Sequence, residues 1–300
     1  MTQKVRAKWL NPSPVPHPEL TKHRLRAFPT NLPHIGDFPL TVSYHPLGDE
    51  ELVFRQAFDH HLPLLIKGPT GCGKTRFVEY MAQQLKLPMW TVACNEDTSA
   101  SDLVGRYILK GNETPWIDGP LTQAVRQGGI CYLDEVIEAR QEALVVLNAL
   151  ADHRRQLFID KTNEVLKAPA HFMLVVSYNP GYQSVMRDLK ESIKQRFVAV
   201  RFDYPAIELE QHIIASESGC TSALARALAN FGANSRKLAG SGLFEGVSTR
   251  MLIHAAKLMS QNTGHQILLE AALIDPVTDE PTIRASLLAL LPLVMAAVHM

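Results

Sequence analysis

The segment Gly68-Pro69-Thr70-Gly71-Cys72-Gly73-Lys74-Thr75 fits the pattern G-x-x-x-x-G-K-[ST] at every required position. Such a loop works only between a strand and a helix, so it dictates its flanks. Before it, the short apolar run Leu62-Pro63-Leu64-Leu65-Ile66 reads as a buried strand. After it, Phe77, Val78, Met81 and Leu85 fall on one face of a helix predicted over Thr75 to Lys86. In this setting the glycines let backbone N–H groups close around phosphates, and the helix presents its positive end to them. Lys74 can reach the β- and γ-phosphates, and the Thr75 hydroxyl is placed to ligate Mg²⁺.

A second element turns a nucleotide site into a candidate hydrolase. Ile130-Cys131-Tyr132-Leu133 is an apolar run ending in Asp134-Glu135, and residues ending a buried strand project into the ligand crevice of an open α/β sheet. Asp134 can hold Mg²⁺ through its water shell, and Glu135 can polarise the attacking water. The competing reading is a plain helix-start acid. Val176-Ser177-Tyr178-Asn179-Pro180 closes a further strand with an Asn that could orient the lytic water, or that merely forms a turn before Pro180. Arg196 ends the stretch Leu189 to Phe197 before the last strand, where a neighbouring subunit's γ-phosphate could meet it. Arg187, Arg201 and the pair Arg154-Arg155 are weaker candidates for such a role. Gly246-Val247-Ser248-Thr249-Arg250 puts an arginine at the start of a capped helix, which an anionic partner would explain.

Strands are predicted at Leu62–Ile66, Met89–Ala93, Ile130–Leu133, Phe172–Ser177 and Val198–Phe202, with a helix over Arg140 to Asp152 among the intervening segments. That succession implies an α/β fold, a parallel sheet with helices on both faces. After Pro205 only helices are expected: Glu208–Ser216, Ser222–Asn230, Thr249–Ser260 and Ile283–Val298. The domains so drawn are a Pro-rich basic arm (1–46), an ATPase core (47–205) and an all-α lid (206–300). Alternate prolines in the arm favour extended polyproline geometry. Gln156–Ile159 and Val165–Leu166 flank Asp160-Lys161-Thr162-Asn163 as a hairpin, and Arg106 to Gly119 reads as a long insert.

Composition removes other classes. Thirty basic and thirty acidic residues cancel, so there is no global electrostatic footprint for nucleic acid. Four cysteines without CxxC spacing, and no secretory signal, suggest reduced thiols and the cytoplasm. Leu287 to Val298 is apolar but too short to span a bilayer and contains Pro292, so a core helix is expected, not a membrane anchor.

Taken in order, Gly-Pro-Thr-Gly-Cys-Gly-Lys-Thr, Cys-Tyr-Leu-Asp-Glu-Val, Ser-Tyr-Asn-Pro-Gly-Tyr, Lys-Gln-Arg-Phe and Gly-Val-Ser-Thr-Arg resemble the MoxR-type AAA+ ATPases. Within these the chain looks most like the CbbQ/NirQ/NorQ family. Ser101-Asp102-Leu103-Val104-Gly105-Arg106-Tyr107 and Asp118-Gly119-Pro120-Leu121 are similar to that family's insert. The resemblance covers the chain from Gly48 onward, the Pro-rich arm being longer than the family's. It implies that Asn179 is sensor 1, Arg196 the arginine finger and Arg250 sensor 2. It further implies a homo-hexameric ring that binds ATP and Mg²⁺, works with a von Willebrand A-domain adaptor (CbbO-like), and remodels a client. For the CbbQ branch the implied client is Rubisco, freed of inhibitory sugar phosphates. For the NirQ/NorQ branch it is nitric oxide reductase during maturation and metal insertion. In matching ATPases the two inserts line a ring's pore or face. A nucleotide-sensing scaffold without useful turnover is the alternative of another class.

Overall fold

A computed structural model describes residues 42–180, 189–239, 243–261 and 265–298. The Pro-rich arm up to residue 41 and Arg187 lie outside the described residues. Among the described residues nine strands run in chain order: β1 Leu64–Lys67, β2 Met89–Ala93, β3 Gly105–Tyr107, β4 Trp116–Asp118, β5 Gly129–Asp134, β6 Gln156–Ile159, β7 Glu164–Lys167, β8 Phe172–Tyr178 and β9 Val198–Arg201. Five of them form one parallel sheet, ordered β2-β5-β8-β1-β9. β3–β4 and β6–β7 are separate antiparallel hairpins.

The sheet is buried on both faces because side chains alternate along each strand. Leu64 and Ile66, Ile130 and Tyr132, and Met173 and Val175 point to one side. There they meet α1 (Glu50–Asp59) through Phe54 and Ala57, and α2 (Lys74–Leu85) through Phe77, Val78, Met81 and Ala82. Leu65, Cys131, Leu133, Leu174 and Val176 point to the other. That side is covered by α3 (Ala100–Val104), α4 (Pro120–Gln127) and α5 (Gln141–Leu147). Parallel pairing brings the C-terminal ends of all five strands to one edge, and loops at that edge form the crevice.

After β9 the described chain is helical. α6 (Glu191–Lys194) is a single turn before β9, and α7 (Ile207–Ser218), α8 (Ser222–Lys237), α9 (Thr249–Gln261), α10 (Gln266–Leu273), α11 (Pro281–Leu288) and α12 (Leu291–Val298) follow. These last six share a separate apolar core including Leu228, Phe231, Leu252, Leu269, Leu287 and Val294.

Several predicted boundaries move. β1 starts at Leu64, since Pro63 has no N–H for a ladder and Leu62 closes the turn after α1 with its N–H on Ala57 O at 2.8 Å. The helix predicted over Arg140 to Asp152 stops at Leu147, where the chain tightens into turns and Gln156 bonds back to Ala149 O. The expected helix Ile283–Val298 is two helices. Ala289 and Leu290 close α11, and Pro292, with no N–H to give, sits in the first turn of α12 where none is needed. Pro281–Val298 is apolar and long enough to cross a membrane by composition. Its two helices bury Ile283, Leu287, Leu291 and Val294 within the helical core. Neither α1 nor α10 is among the helices predicted from the sequence. The insert at 106–119 is ordered as the β3–β4 hairpin, and the hairpin expected around residues 160–163 is β6–β7.

Candidate nucleotide-hydrolysis site

The loop between β1 and α2 makes one wall of a cavity of about 520 Å³. Thr70, Gly71, Cys72, Gly73, Lys74 and Thr75 line it, and Asp134, Glu135, Asn179 and Arg250 approach from other elements. Gly71 has φ of 68°, a left-handed conformation that favours glycine, and an added Cβ would lie 2.7 Å from Ser248 Oγ. The position therefore needs glycine both for its backbone and for the approach of α9.

Lys74 is 7% exposed, and burial pushes its pKa down while neighbouring carboxylates oppose the fall. Its ammonium donates to Gly68 O and Pro69 O, each at 2.9 Å, and to Asn179 Oδ1. Gly68 and Pro69 thus hold the lysine by their carbonyls and do not line the cavity. Because β8 lies between β1 and β5 in the sheet, Asn179 emerges between the phosphate loop and the acidic pair. Its Nδ2 donates to Thr70 Oγ1 at 3.1 Å and reaches Glu135 Oε1 at 3.5 Å.

Asp134 is held by three hydroxyls. Thr75 Oγ1 donates to Oδ2 at 3.2 Å, Tyr132 OH lies 2.8 Å from Oδ1, and Ser177 Oγ donates to the same oxygen. Tyr132 is fully buried in the α2-side core, and that burial pushes its phenol pKa up, so it stays a neutral donor. Ser177 also accepts the Glu135 N–H at 3.2 Å. Tyr132 and Ser177 are supports that the motifs alone do not predict. Their polar atoms inside apolar strands, two residues short of the motif residues, are the signal that would have found them.

Glu135 stands in the left-handed region with φ 54° and ψ 44°. A non-glycine residue held there is strained by about 1–3 kcal/mol, and such strain concentrates at functional sites. Burial and the adjacent Asp134 charge push its pKa up, against Lys74 and Arg250. A raised carboxyl pKa suits a proton acceptor.

The start of α9 closes the cavity. Ser248 caps it, its Oγ accepting Met251 N–H at 3.4 Å, and Arg250 lines the cavity beyond Gly71. Arg196 does not line it; its guanidinium donates to Ser192 O. Arg155 is a structural donor to Pro169 O and Phe172 O, and Arg154 is paired with Asp152 at 2.6 Å. Cys72 is buried with its thiol pKa pushed up, and all four cysteines are free.

Thr75 and Asp134 offer hard oxygen ligands 3.2 Å apart. Among the described residues no group of three His, Cys, Asp or Glu could cage a metal. Two protein oxygens, completed by phosphate and water, fit the habit of Mg²⁺.

A parallel sheet with a strand between the phosphate-loop strand and the acidic strand, a covering helical bundle and this donor set define an AAA+ ATPase. Residues 63–197 match the model of the AAA domain (dynein-related subfamily), and residues 210–294 match that of the CbbQ/NirQ/NorQ C-terminal region. The denitrification regulatory protein NirQ of Stutzerimonas stutzeri is 51% identical, over 88% of this chain and 97% of that one. The protein CbbQ of Hydrogenophilus thermoluteolus is 54% identical, over 82% of this chain and 92% of that one. The chain belongs to the CbbQ/NirQ/NorQ family. A solved RuvB mutant of Thermotoga maritima shares the fold, with a TM-score of 0.51, 14% identity and coverage of 85% of this chain and 73% of that one.

Proposed function

We propose that this ATPase is a remodelling motor that works as a homo-hexameric ring with a von Willebrand A-type adaptor and reactivates inhibited Rubisco by releasing tightly bound sugar phosphates. The observation that carries the hydrolytic part is the convergence of Lys74, Thr75, Asp134, Glu135 and Asn179 from three adjacent strand ends on one cavity. In this reading the loop N–H groups and Lys74 hold the β- and γ-phosphates of ATP. Thr75 and Asp134 hold Mg²⁺, the latter through water, and the ion supplies charge neutralisation at the phosphates. Glu135 accepts the proton of the attacking water, and Asn179 orients that water beside the γ-phosphate. Arg250 meets the γ-phosphate from the helical side. Arg196, outside its own chain's cavity, serves a neighbour's site.

Rubisco is the client supported by the likeness to CbbQ, at 54% identity over 82% of this chain. The second reading, maturation of nitric oxide reductase, is supported by the NirQ relative's longer span, 88% of the chain. Phosphate release measured with the adaptor and either client separates them. The expected result is stimulation by sugar-phosphate-inhibited Rubisco together with recovery of carboxylation. Stimulation by immature nitric oxide reductase alone would sink the Rubisco reading. Slow turnover unmoved by either client would favour a nucleotide-sensing scaffold.

A further inference from the structure

Arg236 lies on α8, away from the cavity lining, and each nitrogen of its guanidinium makes a hydrogen bond. Nη1 and Nη2 donate to the two oxygens of Glu210 on α7 at 2.8 and 2.7 Å, and Glu210 is 0% exposed. Glu210 Oε1 also accepts the Thr249 hydroxyl at 2.5 Å. Arg236 Nε donates to Val247 O at 3.0 Å, and Val247 N–H returns to Ser235 Oγ at 2.9 Å. Gly246 passes so close to α8 that an added Cβ would lie 2.5 Å from Arg236 Cα. The entry into α9, whose second residue is Arg250, is thereby fastened by Arg236 together with Glu210 and Ser235.

The same guanidinium reaches the phosphate loop. Its central carbon lies 3.8 Å from the ring centroid of Tyr204, whose hydroxyl donates to Thr70 O at 3.0 Å. Thr70 in turn accepts from Asn179 Nδ2 and donates its N–H to Glu245 Oε2 at 3.3 Å. A buried ion pair adds little net stability over apolar packing. What a planar fork with a stacked face adds is fixed direction, and a lysine cannot reproduce it.

We propose that Arg236 is a positioning residue for ATP hydrolysis, fixing the Arg250-bearing start of α9 against the phosphate loop through Glu210, Thr249, Val247 and Tyr204. The inference rests on the reading of Arg250 as a γ-phosphate contact. Its action is on the chemical step, because the loop's own N–H groups and Lys74 bind the nucleotide without it.

The test is a double-mutant cycle on the full chain. Tyr204→Phe and Arg236→Lys are made alone and with Arg250→Ala, and kcat, ATP Kd and thermal unfolding are measured for each. Each single substitution is expected to lower kcat about threefold to tenfold while changing Kd less than about twofold. In the Arg250→Ala background the same substitutions should change kcat less than about twofold, since the group they position is gone. A full loss of kcat that persists without Arg250, or unchanged kcat in both single variants, overturns the inference and leaves the reading of Arg250 standing. An Arg250→Ala variant with unchanged kcat overturns that reading, and the inference with it. If Arg236→Lys does not fold, Tyr204→Phe, which removes one hydroxyl, carries the test.

Discussion

Glu135 concentrates the tension of the site in one residue: left-handed backbone, partial burial and a carboxylate beside Asp134. Glu135→Gln is expected to bind ATP and stop turnover, because an amide cannot accept the proton, so bound ATP recovered without released phosphate is the readout. The raised pKa sets a pH dependence. The base is active only when ionised, so kcat should rise with pH through a value above the ordinary carboxylate range. The stability effect has the opposite sign. The folded state holds this proton more tightly than the unfolded chain, so ionisation above the unfolded pKa destabilises the fold. The gain in Tm of Glu135→Gln over the unsubstituted protein should therefore be larger at pH 8 than at pH 5. Lys74→Ala should weaken ATP binding roughly 100-fold, about 2.7 kcal/mol, by calorimetric titration. Near-normal affinity would remove the phosphate-loop assignment.

Among the elements, α2 does most to join the loop to the sheet. Phe77 is fully buried, its ring centroid 5.3 Å from that of Tyr44, 5.6 Å from Phe54 and 5.2 Å from Phe202. One side chain thus locks α1, the chain after β9 and the helix that begins at Lys74. Phe77→Ala should cost about 3–5 kcal/mol in denaturant unfolding. A loss below about 1 kcal/mol would mean that the cluster repacks around the gap. The two hairpins lie together on the opposite side of the sheet: Tyr107 OH donates to Lys161 O at 3.2 Å, and Arg126 of α4 pairs with Glu164 at 2.6 Å. Ile108 and Leu109 beyond β3, and the cross-strand pair Phe158 and Val165, stay exposed.

For the whole molecule, the decisive residue is Arg196. If it acts across a ring interface, Arg196→Ala should cut hydrolysis 10³-fold or more, roughly as measured for other arginine fingers, while ATP binding by each subunit persists. Mixing Arg196→Ala subunits with Glu135→Gln subunits should restore activity above either parent, because some interfaces then carry both intact halves. Rings shown to be mixed that stay inactive would make Arg196 a residue of its own chain's structure.

The phosphate loop, the acidic strand end and the five parallel strands were legible because each is written in contiguous residues: glycine spacing, apolar runs and a helical stripe on Phe77, Val78 and Met81 all agree locally. Boundaries at Pro63 and Pro292 were legible in principle, since a missing N–H acts where it stands. Long-range pairing was not. The family resemblance implied a site role for Asn179, but no local pattern pairs β8 with both β1 and β5, and it is that order that brings Asn179 to Lys74 and Ser177 to Asp134. Nor does it say that Glu210, Arg236 and Thr249, spread over forty residues of helix and loop, close on one buried carboxylate. A sequence determines local backbone preference and which faces avoid water. Which polar groups satisfy one another in the interior is decided only when distant elements pack, because a buried donor or acceptor must find its partner wherever the fold supplies one.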